Sequence, residues 1–177
     1  MRNRFLEPVE YQIERTGLGT WRRFMYPNGQ LFAEFRSHAR LFGLPLIHYA
    51  RGVCPETGKR VVAKGILAVG RLAVGGLAVG QASAGLIGVG QASLGLFFGL
   101  GQAAAGLYAL GQMALGWEMA VGQLAAGEVV VAQLGVGHWV LAQLGVGEHV
   151  WQQASADPAA VAYFQHLWQQ IQSWFTV

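Results

Sequence analysis

The chain has 177 residues, 53% of them hydrophobic and only 12% charged, with 26 glycines, five prolines and one cysteine. Its apolar content excludes a disordered chain, a glycine spacing other than three excludes collagen, and the lone Cys54 excludes a disulfide framework or a cysteine-rich zinc site. Charge divides it in two: residues 1–71 hold all twelve Lys and Arg with five acids, net +7, while Glu118, Glu128, Glu148 and Asp157 leave the remainder at −4.

The opening MRNRFLEPVE lacks the apolar run of a signal peptide. A cytoplasmic protein is expected, with the inner face of the membrane open to its basic head. Residues 21–26 and 31–36 read as antiparallel strands about the turn Pro27-Asn28-Gly29-Gln30. Arg22, Arg23, Arg36 and Arg40 lie among Trp21, Phe24 and Phe35, a composition that suits an anionic partner. An acidic membrane surface fits better than nucleic acid, for which no motif is present; a merely solvated basic face is the equal alternative. Residues 41–50 read as extended, Pro55-Glu56-Thr57-Gly58 as a turn, and residues 60–64 lead into a glycine-rich tract that begins at Gly65. Residues 1–64 thus form a β-rich basic head.

The stretch ARLFGLPLIHYARGVCPETGKRVVAKGILAVG, residues 39–70, resembles the segment that precedes glycine-rich GLAVG pentad arrays in uncharacterised bacterial proteins with an LFGLPLxH-type head. The resemblance runs on through the repeats and implies no activity. A looser likeness is to the bactofilins, cytoskeletal β-solenoids that polymerise without nucleotide. It is architectural only, because no bactofilin motif is matched and bactofilin coils are longer.

From Gly65 the chain can be written in fives: GILAV, GRLAV, GGLAV, GQASA, GLIGV, GQASL and onward to QQASA. Eighteen units fill residues 65–156, two of them, GLFFGL and GWEMAV, with one extra residue. A fixed period signals a repeat architecture. Glutamine takes the second position in alternate units, so the full repeat is about ten residues. A helix is a poor reading, since five residues at 100° each scatter the glycines around the cylinder and each glycine costs about 1 kcal/mol against alanine. Extended chain fits: with glycine at the corner, strict alternation sends position 2 out, 3 in, 4 out and 5 in. The expectation is an all-β fold, a β-solenoid of about nine ten-residue coils, in which Ala82, Ala92 and Ala103 face Ile87, Phe97 and Tyr108. A twenty-residue, four-sided coil stays open.

On this reading one flank stacks Gln81, Gln91, Gln102, Gln112, Gln123, Gln133 and Gln143 as a glutamine ladder whose amides bond along the stack. The other carries Leu86, Leu96, Leu107 and Trp117 outward, an apolar strip suited to self-association. Residues 157–177 begin with the helix-start signal Asp157-Pro158, and Phe164, Trp168, Ile171 and Phe175 recur at helical spacing as a cap over the last repeat.

No phosphate loop is present and the five histidines show no metal-ligand spacing, although His138 and His149 fall near Glu128 and Glu148. No catalytic residue, cofactor or metal site is expected, and Cys54 has no evident base to make it a nucleophile. These features together point to a non-enzymatic structural protein, partnered with itself as homo-oligomer or filament through apolar flanks and oppositely charged ends. The alternative is a membrane-associated or multi-span protein: residues 65–116 hold no charge but Arg71, and the head would be cytoplasmic.

Overall fold

The computed structural model describes residues 9–175, so expectations resting on the first eight residues, a leader among them, lie outside the described residues. The fold is mostly β with one helix at its C-terminal end, in two compact units, Met1–Leu94 and Gly95–Val177.

In the first unit, β1 (Gln12–Arg15), β2 (Gly19–Met25) and β3 (Leu31–Ser37) form an antiparallel sheet. The expected turn joins β2 to β3, with Gly29 at φ +78° and its N–H donating to the Tyr26 carbonyl at 2.9 Å. Residues 41–50 depart from a single extended segment. A small hairpin, β4 (Arg40–Leu41) with β5 (Leu44–Pro45), turns on Phe42 and Gly43, both at positive φ as such a tight turn requires. Then β6 (Ile47–Arg51) pairs antiparallel with β3 and parallel with the first residues of β7 (Val62–Gln152), Ile47 opposite Leu67 and Ala50 opposite Gly70. The aromatic core of this sheet is Phe32, fully buried, with Tyr11 and Phe24 around it and Trp21 against Phe35 and Tyr49.

β7 is extended along all its 91 residues. Drawn straight it would run about 300 Å, with residues ten apart separated by about 33 Å. Instead, residues ten apart lie side by side. A Cβ added to Gly75, Gly80, Gly85 or Gly90 would fall on the carbonyl oxygen of Gly65, Gly70, Gly75 or Gly80 respectively. The second unit repeats this with Gly111 on Gly101, Gly137 on Gly127 and Gly147 on Gly137. Where a repeat has an extra residue the interval is eleven, Gly106 meeting Gly95 and Gly122 meeting Gly111. Glycine is needed there because the backbone of one pass occupies the space of a side chain on the next.

The interior differs from the expected alternation. Position 4 points in: Ala68, Ala73, Ala78 and Ser83 are buried in the first unit, Ala104, Ala109, Ala114, Ala120, Ala125, Val130 and Val140 in the second. Positions 3 and 5 do not fill the inside, and the expected pairs Ala82 with Ile87, Ala92 with Phe97 and Ala103 with Tyr108 are exposed. Burial thus recurs at position 4, every five residues, rather than on alternate residues. Size does trade across the interior, but at position 4. A Cβ on Gly135 would lie 2.8 Å from Val130 Cγ1 and 3.0 Å from Val140 Cγ1. A core of alanine, serine and glycine, with Val130 and Val140 set against Gly135, holds no leucine or phenylalanine.

At the end of β7, Trp151 and Gln152 pair with β8 (Ser155–Ala156), and α1 (Pro158–Phe175) comes next. Asp157 caps it, Oδ1 accepting the Ala159 N–H at 3.0 Å. The helix buries Ala160 and Phe164. Of the expected capping residues, Ile171 is half-buried, whereas Trp168 and Phe175 are exposed, Phe175 at 83%. No helix among the described residues is long and apolar enough to cross a membrane.

Candidate functional site

The thin interior pushes large apolar side chains outward. In the second unit Leu96 is 64% exposed, Trp117 81% and Leu115 63%, with Phe97, Phe98, Leu124, Leu134 and Leu144 also in water. In the first unit Leu72, Leu77, Leu86 and Leu94 are exposed likewise. Of the strip expected from sequence, Leu86, Leu96 and Trp117 stand out and Leu107 is half-buried. The apolar surface is broader than that strip, because positions 3 and 5, assigned to the core by strict alternation, add to it. Phe98 and Tyr108 stack there, rings 5.2 Å apart.

The glutamines of the expected ladder, Gln81, Gln91, Gln102, Gln112, Gln123, Gln133 and Gln143, are all exposed. Among the described residues none of their amides bonds to the next; Gln81 Oε1 instead accepts from Arg71 Nε at 2.7 Å. An exposed amide bonds water as readily as a neighbour, which removes the drive for a continuous ladder.

Three of the four arginines expected to meet an anionic partner are already paired. Glu34, 1% exposed, holds two of them: Arg22 donates to Oε2 through Nε at 3.1 Å and also through its terminal nitrogen, and Arg36 reaches Oε1 at 2.7 Å. Buried His48 completes the cluster. Its Nδ1 accepts the Lys64 N–H at 2.8 Å, leaving Nε2–H to donate to Glu34 Oε1 at 3.0 Å. Burial works to raise the Glu34 pKa, but hydrogen bonds from His48 and Arg22 and the charge of Arg36 hold it at about 2. Arg23 pairs with Glu14 at 2.8 Å and lies over the Trp21 ring, while Arg40 is exposed. Sequence reasoning passed over Glu34 and His48. The hairpin turn carried the signal, because its register sets Arg22 opposite Glu34.

Cys54 is buried, its sulfur 3.8 Å from the Tyr11 hydroxyl. Burial acts to raise its pKa, and donors from Thr57 and Glu56 outweigh that and lower it.

A second polar cluster forms late in the second unit. Glu128, His138 and Glu148 are ten residues apart and therefore adjacent. His138 Nδ1 bonds Glu128 Oε1 at 2.6 Å and Nε2 lies 3.1 Å from Glu148 Oε2. The hydrogen bond to Glu128 raises the pKa of His138 against the opposing effect of burial, and the charges of both glutamates add to the rise. His149 Nδ1 bonds Asp157 Oδ2 at 2.6 Å, and its ring stacks on Trp139 at 4.3 Å, which stacks on Tyr163 at 4.5 Å. The ten-residue period brings Glu128, His138 and Glu148 together, and Trp139 with His149, although no spacing between the histidines resembles a metal motif.

Comparison with protein-family models, with curated proteins and with solved structures yields no match for this chain.

Proposed function

We propose that this is a non-enzymatic structural protein whose residues 65–156 form a β-solenoid of ten-residue coils, and that it associates with copies of itself through its outward apolar faces. The exposure of Leu96, Leu115 and Trp117, in a stretch from residue 72 to 117 without one charged side chain, is the observation that carries it. Exposed apolar side chains in such number mark a contact site. The meeting of glycine with glycine at intervals of ten supports the coil.

A second copy fits the surface because outward residues recur with the spacing of the sheet itself. Two such faces in register interdigitate row by row, as in stacked sheets. The charged ends contribute less than the faces on this reading, since Arg22, Arg23 and Arg36 are spent on Glu34 and Glu14. Analytical ultracentrifugation with negative-stain microscopy tests it. The wild-type chain forms oligomers or filaments, and Leu96→Glu with Trp117→Glu disperses them with an unchanged far-UV spectrum. A monomer at every concentration and salt removes the proposal.

One observation favours a second reading, a lipid-associated protein. Apolar residues stand outward on both alternate pentads, Leu96 and Trp117 on one and Leu115 and Leu144 on the other, where a single protein partner covers only one face. Flotation with vesicles that resists a carbonate wash would favour lipid over self-association.

A further inference from the structure

We propose that His138, His149 and Glu148 form a binding site for one divalent transition-metal ion, Zn2+ by the character of its ligands. Each offers one ligand atom, and the three atoms lie within 4.8 Å of one another. The two histidines belong to neighbouring columns of β7, one repeat apart, and Glu148 follows His138 in its own column.

The surroundings are those of ligands already oriented. In metal sites a ligating imidazole almost always gives its other nitrogen to a carboxylate or carbonyl, which fixes the tautomer and makes the ligating nitrogen more basic. Both histidines meet that condition independently: Nδ1 of His138 is held by Glu128 and Nδ1 of His149 by Asp157, each at 2.6 Å. In His149 that leaves Nε2 for a metal, and in His138 the other nitrogen, Nε2, lies 3.1 Å from Glu148 Oε2, so an ion would take its place between these two. The His149 ring is fixed further by its stack on Trp139, backed by Tyr163 of α1. Two imidazoles and one carboxylate, with at least one position left to water, suit Zn2+ at Zn–N of about 2.0 Å; magnesium or calcium would ask for an all-oxygen set. Drawing three atoms from a 4.8 Å envelope onto one ion needs closure of about 1 Å, within reach of Glu148, whose side chain is 72% exposed. An ion there would join β7 to the start of α1, because Asp157, which orients His149, is also the helix cap.

The test uses the full chain, stripped with chelator and titrated with Zn2+ alone by calorimetry, with Co2+ as a spectroscopic substitute. One ion per chain binds, and Co2+ gives the intense visible bands of a four- or five-coordinate site. His138→Ala and His149→Ala each weaken Zn2+ binding at least 100-fold. Asp157→Asn, which keeps a good helix cap, weakens it about tenfold. His38→Ala and His166→Ala, outside the cluster, leave it unchanged. His149→Gln, with its far-UV spectrum as a control for folding, guards against a variant that merely unfolds. Absence of stoichiometric binding, or binding that survives the His138→Ala, His149→Ala double substitution in a folded chain, overturns the site.

Discussion

The head sheet and the repeats solve the problem of an interior in opposite ways. Around β3 the inside is filled by a large aromatic, Phe32, and by a charged group, Glu34, which arginines and a histidine neutralise. Along β7 it is filled by small side chains, alanines above all with Val130 and Val140, and the buried Ser83 and Ser93 hydroxyls lack a partner. The head leaves Leu18 and Phe42 in water yet still buries a phenylalanine; the repeats bury no side chain larger than valine. The comparison teaches that the size of side chain an interior accepts depends on how close the facing backbones come. In the repeats that approach is set by glycine.

The largest expected effect comes from exchanging large for small in both regions. Phe32→Ala empties a fully buried site and costs about 4 kcal/mol, whereas Leu115→Ala, on the outside, costs under about 0.5 kcal/mol in the dispersed chain. Urea denaturation of each, read by circular dichroism, checks the pair; equal losses would erase the distinction.

A smaller effect is expected from the reverse exchange. Gly85→Ala sets a methyl on the Gly75 carbonyl, which only a backbone shift relieves, at about 3 kcal/mol. Gly17→Ala, where a Cβ meets nothing within 4 Å, stays within about 0.5 kcal/mol. Thermal melts of the two variants side by side measure it.

The smallest is electrostatic and confined to the head. The Glu34 pKa is depressed from 4.5 to about 2, so its contribution is whole above pH 4.5 and is lost as pH falls through about 2. Glu34→Gln costs about 2 kcal/mol at pH 7, less than a wholly buried pair because Arg22 and Arg36 reach solvent. The variant's melting temperature should also fall less steeply with acid than the wild type's. Parallel pH profiles for both would show the cluster to be inert.

Much of this was legible in the residues. Pro27-Asn28-Gly29-Gln30 fixed the hairpin, and with it the opposition of Arg22 and Glu34. Asp157-Pro158 marked the helix start, and GLFFGL and GWEMAV marked where the interval becomes eleven. The side each residue faces was not legible, because a five-residue word admits more than one phase of alternation and hydrophobicity favoured the wrong one. Nor was the pairing of His149 with Asp157, which depends on where β8 sends the chain.

The amino-acid order by itself determined extended structure, its period and its punctuation, since these arise from local φ/ψ preferences and from where glycine and proline stand. Tertiary structure alone decided that alanine goes inside and leucine outside. That choice rests on the distance between two facing backbones, and a distance between segments is not a property of either segment.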